Sequence, residues 1–362
     1  MAESTTAYIG LGSNLGDRGG FIEKALAQLE AAEGIELSAV SDMTQSPALG
    51  DKSQLEFINA VARIETTLSA GQLHRILCEI EISLGRGEKG KKTARTIDLD
   101  LLLFGRQIIN STRLTVPHPQ MHLRSFVLKG LCQLDSKLCH PVIKESMDEL
   151  VARLGGGDFA VNPDKPQLIS IAGIIGVGKT TLTKKLGEVL GCEVLFEAYD
   201  TNPFLPEVYA GRRELALDSQ LYFLTSRIAQ LNTDTLARGR IVIIDYVFDK
   251  ELIYARQLLD AQQLGLYQQI YPLSANKITS PVLVVYLTDS PQSCLEHIHS
   301  RNRPYEQKIE LSFLEALGSD YDRLFAGWKH CPVIRISMSE FDCRIDKDVR
   351  HLAEQIKYYT AG

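Results

Sequence analysis

The sequence predicts an α/β protein in two domains, the second built on a parallel sheet flanked by helices. Three observations lead there. A chain of 362 residues is too long for one ordinary domain. Apolar runs of strand length alternate with amphipathic helical patterns through both halves. Between the halves, Gly155-Gly156-Gly157-Asp158 is followed by Asn162-Pro163 and Lys165-Pro166, which read as a helix end and a short connection. The expected division is a domain over 1–157, a linker over 158–167 and a second domain over 168–362.

Composition narrows the class. With 44% hydrophobic and 23% charged residues the chain can bury sizeable cores, which excludes a disordered or fibrous protein. The 39 Lys+Arg against 45 Asp+Glu leave a charge of −6, and 17 against 19 of these fall in residues 1–157, so neither half is a charged tail. That balance argues against a general nucleic-acid binder, and an anionic ligand must meet local positive groups. Seven cysteines without a Cys-x-x-Cys pair indicate neither a disulfide framework nor a zinc site. No apolar run approaches the ~20 residues of a membrane span, and the first residues lack a basic-then-apolar leader, so a cytoplasmic protein is expected.

In the first half, the apolar run Ala7–Leu11 opens a strand, and Gly12-Ser13-Asn14-Leu15-Gly16-Asp17 is loop chemistry. Phe21, Ile22, Ala25, Leu26 and Leu29 then recur at helical spacing. A strand over Phe57–Ile64, a helix over Ala70–Leu84 and a strand over Ile97–Phe104 follow. In that last strand Ile97, Leu99 and Leu101 share one face, and Asp98 and Asp100 share the other. Two carboxylates at this spacing can hold Mg²⁺ beside substrate phosphates, although an isolated pair also reads as an exposed strand face.

In the second half, a strand over Gln167–Ala172 runs into Gly173, Gly176, Gly178, Lys179 and Thr180, which satisfy G-x-x-x-x-G-K-[ST] between a predicted strand and a predicted helix. The glycines let backbone N–H groups face phosphate oxygens, Lys179 serves the outer phosphates, Thr180 can ligate Mg²⁺, and Thr181 continues the same turn. A strand over Glu193–Glu197 follows, then largely helical patterns with strands at Ile241–Asp245, Pro281–Leu287 and Val333–Ile336. Gln220 and Arg227, seven residues apart, share a helix face that is either solvated or a ligand contact. Arg301 and Arg303 after a helical pattern are, taken alone, an ordinary surface pair.

With Glu197, Asn202-Pro203-Phe204-Leu205, Tyr209, Gln220 and Arg227 in place, most of residues 168–362 resembles the deoxynucleoside kinases, especially the bacterial deoxyadenosine/deoxyguanosine kinase branch. The resemblance implies that Glu197 takes the proton from the nucleoside 5′-hydroxyl, Tyr209 and Glu306 hold the 3′-hydroxyl, and Gln220, with Arg227 beside it, meets the base. It also implies a lid in which Arg301 and Arg303 fold over the transferring phosphate, and one Mg²⁺ at Thr180 and Asp245. One position departs. Relatives often follow the acid with arginine, whereas Asp245 is followed by Tyr246.

Around the two aspartates, Gly85-Arg86, Arg95 and Pro117-His118 through Arg124-Ser125-Phe126 join Gly12-Ser13-Asn14-Leu15, Ser46-Pro47-Ala48-Leu49 and Phe57-Ile58-Asn59-Ala60. Together they make residues 5–157 similar to 6-hydroxymethyl-7,8-dihydropterin pyrophosphokinase. The resemblance implies a ferredoxin-like α+β domain that transfers the β,γ-diphosphate of ATP to the pterin hydroxymethyl group and releases AMP. Two Mg²⁺ would lie at Asp98 and Asp100, the triphosphate at Arg86, Arg95, His118 and Arg124, and the pterin between Phe57 and Phe126. Asn59 and the Ser46, Pro47 and Leu49 loop would complete the pterin site. Here the departure is the loop over 87–94, where relatives often place Trp-x-Pro before the arginine; Lys89, Lys91 and Lys92 stand there instead, as compensating charge or as a solvated run.

The expected whole is a bifunctional enzyme of folate biosynthesis and nucleotide salvage, acting on small molecules, with the kinase half open to pairing as a homodimer. The same residues leave open that one half is catalytic and the other a nucleotide-binding regulatory module.

Overall fold

The computed structural model describes residues 4–49, 54–86, 94–275 and 278–361. The chain forms two compact units, Met1–Ala160 and Val161–Gly362.

The first unit runs β1 (Thr5–Ser13), α1 (Arg18–Glu30), β2 (Ile35–Val40), β3 (Thr44–Ser46), β4 (Phe57–Thr66), α2 (Ala70–Ser83), β5 (Asp98–Phe104), the short pair β6 (Ile109–Asn110) and β7 (Thr115–Val116), α3 (Ser125–Asp135) and α4 (Met147–Leu154). Its sheet is antiparallel in the order β2-β4-β1-β5, with β3 added to β4. This is the ferredoxin-like order. Alternation explains the two layers: Ala7, Ile9 and Leu11 with Ala60, Ala62, Ile64, Leu99 and Leu101 turn one face to α1 and α2. On the other face α3 lies on β4 at Gly130, where a Cβ would stand 2.6 Å from Val61 Cγ2. Gly12 pairs with Asn59 on one side and Asp98 on the other. Ser69 and Gln72 form a capping box that starts α2, and Ser146 and Glu149 form one that starts α4.

The second unit runs β8 (Gln167–Ala172), α5 (Lys179–Leu190), β9 (Glu193–Leu195), α6 (Leu205–Tyr209), α7 (Ala216–Leu231), β10 (Ile241–Ile244), α8 (Lys250–Leu258), α9 (Ala261–Ala275), β11 (Leu283–Thr288), α10 (Pro291–Ser300), α11 (Leu311–Ala326), β12 (Val333–Ser337) and α12 (Asp346–Tyr358). The sheet is parallel, in the order β12-β11-β8-β10-β9. All six residues of β8 are buried, as expected of a strand covered on both faces. Successive strands leave β8 in opposite directions, so the crevice at its carboxyl end is the switch point where such sheets bind ligands. The predicted strand to Glu197 stops earlier, at Leu195, because the Glu197 amide donates to the Asp245 carboxylate at 2.9 Å instead of to a neighbouring strand.

Candidate active sites

In the second unit, β8 ends in the predicted glycine loop. Gly176 has φ +86°, and a Cβ there would come 2.4 Å from the Cys294 carbonyl oxygen. Gly178, at φ +101°, starts α5. The amides of this turn and the helix N-terminus offer an anion cradle. Lys179 Nζ donates to the Ile174 carbonyl at 2.8 Å, and burial lowers its pKa against the pull of Glu197 and Asp245. Thr180 Oγ1 donates to Asp245 Oδ2 at 2.7 Å, while Thr181 is exposed on α5. Two oxygens so close, at the mouth of a phosphate cradle, fit a Mg²⁺ that takes its other ligands from phosphate and water.

A cleft opens beside this loop and brings together Glu197, Tyr209, Gln220, Arg227, Arg301, Arg303 and Glu306. Gln220 and Arg227 are each 3% exposed, so the solvated-face reading does not hold. Arg227 turns its guanidinium to Glu197 and Glu251, leaving its buried Nε without a hydrogen-bond partner among the described residues. Lys250 Nζ donates to Glu197 Oε2 at 2.5 Å. Burial opposes ionisation of Glu197, but the charges of Arg227 and Lys250 outweigh it and hold its pKa down to about 2. The lid arginines meet Glu306: Arg301 Nε donates to it at 2.7 Å, and Arg303 lies 3.6 Å from it and 4.3 Å over the Tyr199 ring. Tyr209 stacks on Tyr305 at 6.3 Å between ring centres. Tyr246 is fully buried and donates to Gln230 Oε1 at 2.6 Å.

In the first unit, Asp98 and Asp100 stand at the start of β5. Asp98 is held by Arg86 at 2.5 Å and by Arg95 at 2.8 Å, and Asp100 lies 4.0 Å from His118 Nε2. Among the described residues no three His, Cys, Asp or Glu side chains gather to hold a metal by themselves. Two carboxylates next to cations therefore fit Mg²⁺ whose remaining ligands come from a polyphosphate. Arg95 lies 5.4 Å from the Phe57 ring centre, and its buried Nε has no partner among the described residues. Asn59 Nδ2 donates to Ser46 Oγ at 2.9 Å. Pro47 is exposed, and Leu49, on the loop, and Phe126, in the first turn of α3, are half-buried. Arg124 donates to Gln120 Oε1 at 3.2 Å, and burial lowers its pKa. Lys89, Lys91 and Lys92 lie outside the described residues.

Sequence reasoning missed Glu81, Lys250 and Glu251. Glu81, 2% exposed, pairs with Arg86 and accepts from the Leu99 amide at 2.8 Å. It had a signal, since it falls on the same helix face as Leu73, Leu77 and Ile80. Glu251 had the same kind of signal, on a face with Phe248, Ala255 and Leu259, whereas Lys250 lies off that face.

Both sites gather cations and carboxylates for handling polyphosphate, the chemistry of ATP-dependent phosphoryl transfer. The deoxynucleoside kinase family profile matches residues 169–359, and the 7,8-dihydro-6-hydroxymethylpterin-pyrophosphokinase profile matches residues 8–136. Deoxyguanosine kinase of Bacillus subtilis is 37% identical over 157 residues, 42% of this chain and 76% of that protein. Deoxyadenosine kinase of Dictyostelium discoideum is 34% identical over 195 residues, 52% of this chain and 77% of that one. The 2-amino-4-hydroxy-6-hydroxymethyldihydropteridine pyrophosphokinase of Bacillus subtilis is 38% identical over 140 residues, 39% of this chain and 81% of that protein. The chain belongs to both families, joining a pyrophosphokinase and a deoxynucleoside kinase in one bifunctional, ATP-using enzyme. No helix among the described residues is long and apolar enough to cross a membrane.

Proposed function

We propose that the kinase domain phosphorylates deoxyadenosine in preference to other deoxynucleosides, with Gln220 and the free Nε of Arg227 meeting a purine edge and Tyr209 and Glu306 holding the 3′-hydroxyl. The observation that most supports phosphoryl transfer here is Glu197, paired with Arg227 and Lys250 in the cleft that the phosphate loop borders. The 5′-hydroxyl gives its proton to Glu197 while its oxygen attacks the γ-phosphorus of ATP; the bond to the β,γ-bridging oxygen breaks and ADP leaves. Lys179, Arg301 and Arg303 offset the charge that develops. One Mg²⁺, held by Thr180 and Asp245, neutralises phosphate charge when bound.

In the pyrophosphokinase domain the hydroxymethyl oxygen attacks the β-phosphorus, the bond from that phosphorus to the α,β-bridging oxygen breaks, AMP leaves, and the hydroxyl proton passes to solvent. Arg86, Arg95, His118 and Arg124 orient the triphosphate. Phe57 and Phe126 stack on the pterin, with Asn59 and the Ser46, Pro47 and Leu49 loop at its edge. Two Mg²⁺ at Asp98 and Asp100 would supply Lewis-acid polarisation of the phosphates. The position of Asp98 between Arg86 and Arg95 supports this reading. We place the domains at 1–157 and 168–362 with a linker over 158–167, in a cytoplasmic enzyme that forms a homodimer through its kinase half.

Asp98→Ala and Glu197→Ala, each assayed for both half-reactions and against the four deoxynucleosides, test these assignments. Each substitution is expected to abolish its own activity and spare the other. A half-reaction that survives its substitution overturns the assignment there, and one absent from the wild-type chain favours a regulatory module.

A further inference from the structure

Lys250 opens α8 and is 4% exposed. An ammonium is costly there, in low dielectric and at the positive end of a helix. Burial brings its pKa down to about 7, although Glu197 works against the shift while Arg227 and Lys179 add to it. A methionine would fill the space without that cost. What the ammonium gains is its hydrogen bond to Glu197.

Tyr246 stands where relatives of the kinase half often place an arginine. Its hydroxyl is turned to Gln230, whose Nε2 donates to the Phe196 carbonyl at 2.9 Å, and its ring lies 5.4 Å from the Arg227 guanidinium. The tyrosine braces the strand and the arginine, and leaves a cation to come from elsewhere.

We infer that Lys250 is a positioning residue for phosphoryl transfer: four residues beyond Tyr246, it supplies the cation that Tyr246 does not and, with Arg227, orients the Glu197 carboxylate toward the 5′-hydroxyl. Arg227 takes Oε1 and Lys250 takes Oε2, so the carboxylate plane is fixed from both sides, and each oxygen keeps a lone pair for substrate. Arg227 is anchored in turn by Glu251, which also accepts from the Tyr267 hydroxyl. Both cations line the cleft but differ in mounting, since Arg227 is also tied into the core through Glu251.

The inference rests on Glu197 as proton acceptor, and the experiment separates the two. The full chain is compared as wild type, K250M, K250R and E197Q, with ATP and the deoxynucleoside that the wild type phosphorylates fastest. K250M is expected to lower kcat by about 100-fold with both KM values within about threefold, a loss of the size of one acid–base contribution, and K250R to recover most of it. If K250M fails to fold, K250Q is read in its place. A kcat for K250M within about threefold of wild type overturns the inference, as does a K250R as slow as K250M. An E197Q enzyme with undiminished kcat overturns the assignment of Glu197, and the inference with it.

Discussion

Asn14 and Arg95 are joined twice: the Arg95 amide donates to Asn14 Oδ1 at 2.8 Å, and the Asn14 amide donates to the Arg95 carbonyl at 3.2 Å. Asn14 is fully buried at the end of β1, so this pair fixes the backbone from which Arg95 reaches Asp98. Asn14→Ala leaves the Arg95 amide without its acceptor, at a cost of about 1–3 kcal/mol. Pyrophosphokinase kcat is expected to fall by about tenfold or more. Phosphorylation of deoxynucleoside by the same preparation is expected to stay unchanged, which steady-state assays of both activities would check.

Glu81 shares Arg86 with Asp98. Glu81→Gln keeps an acceptor for the Leu99 amide but removes the charge, so Arg86 is left to Asp98 alone and competes more strongly with any cation there. The expected result is a raised Mg²⁺ requirement for pyrophosphokinase activity, by about tenfold. Mg²⁺ titration of both activities reads it; an unchanged pyrophosphokinase curve contradicts it.

Gly176→Ala places a methyl group at positive φ against the Cys294 carbonyl. Neither the loop nor α10 can give way cheaply, and the amides that face phosphate are displaced. Kinase kcat/KM for ATP is expected to drop by at least about 100-fold, with the pyrophosphokinase reaction intact.

His140 is fully buried, and its Nδ1 accepts from the Val142 and Ile143 amides at 3.3 and 3.1 Å. Protonating that nitrogen would set a donor against two donors. Burial, with His122 and Lys144 adding to it, lowers its pKa to about 3. The unfolded chain, near the ordinary value of about 6.5, binds more protons between these limits, so stability rises with pH there and is lost as pH falls below about 6.5. Between pH 7 and pH 5 the loss is up to about 2 kcal/mol. Thermal inactivation of pyrophosphokinase activity, measured across that range, should steepen for wild type and flatten for His140→Gln, whose amide oxygen can accept the same N–H groups.

The parts of these sites that can be read from sequence are those whose constraint is local. Gly176 and Gly178 need positive φ within one turn between a strand and a helix, and Asp98 and Asp100 share a face because a strand repeats every two residues. Phe57 and Asn59 follow from resemblance. Lys250 does not, because its meaning depends on Glu197, 53 residues away, and on where α8 begins. Tyr246 is readable only as a missing arginine; its bond to Gln230 comes from packing α7 against β10, which no short window contains. The strand end at Leu195 is lost for the same reason, since Asp245 competes for the Glu197 amide across the sheet.

Gly12 sits in register between Asn59 and Asp98, on three adjacent strands. On the proposed reading, the heterocycle is held over one outer strand and the polyphosphate over the other. The hydrogen-bond ladder sets the backbone separation of those two strands at about 10 Å, twice the strand spacing. A ladder cannot stretch the way a loop can, so the sheet acts as a ruler. An acceptor with a longer arm between its ring and its hydroxyl would overshoot the mark, whatever its affinity for the aromatic clamp.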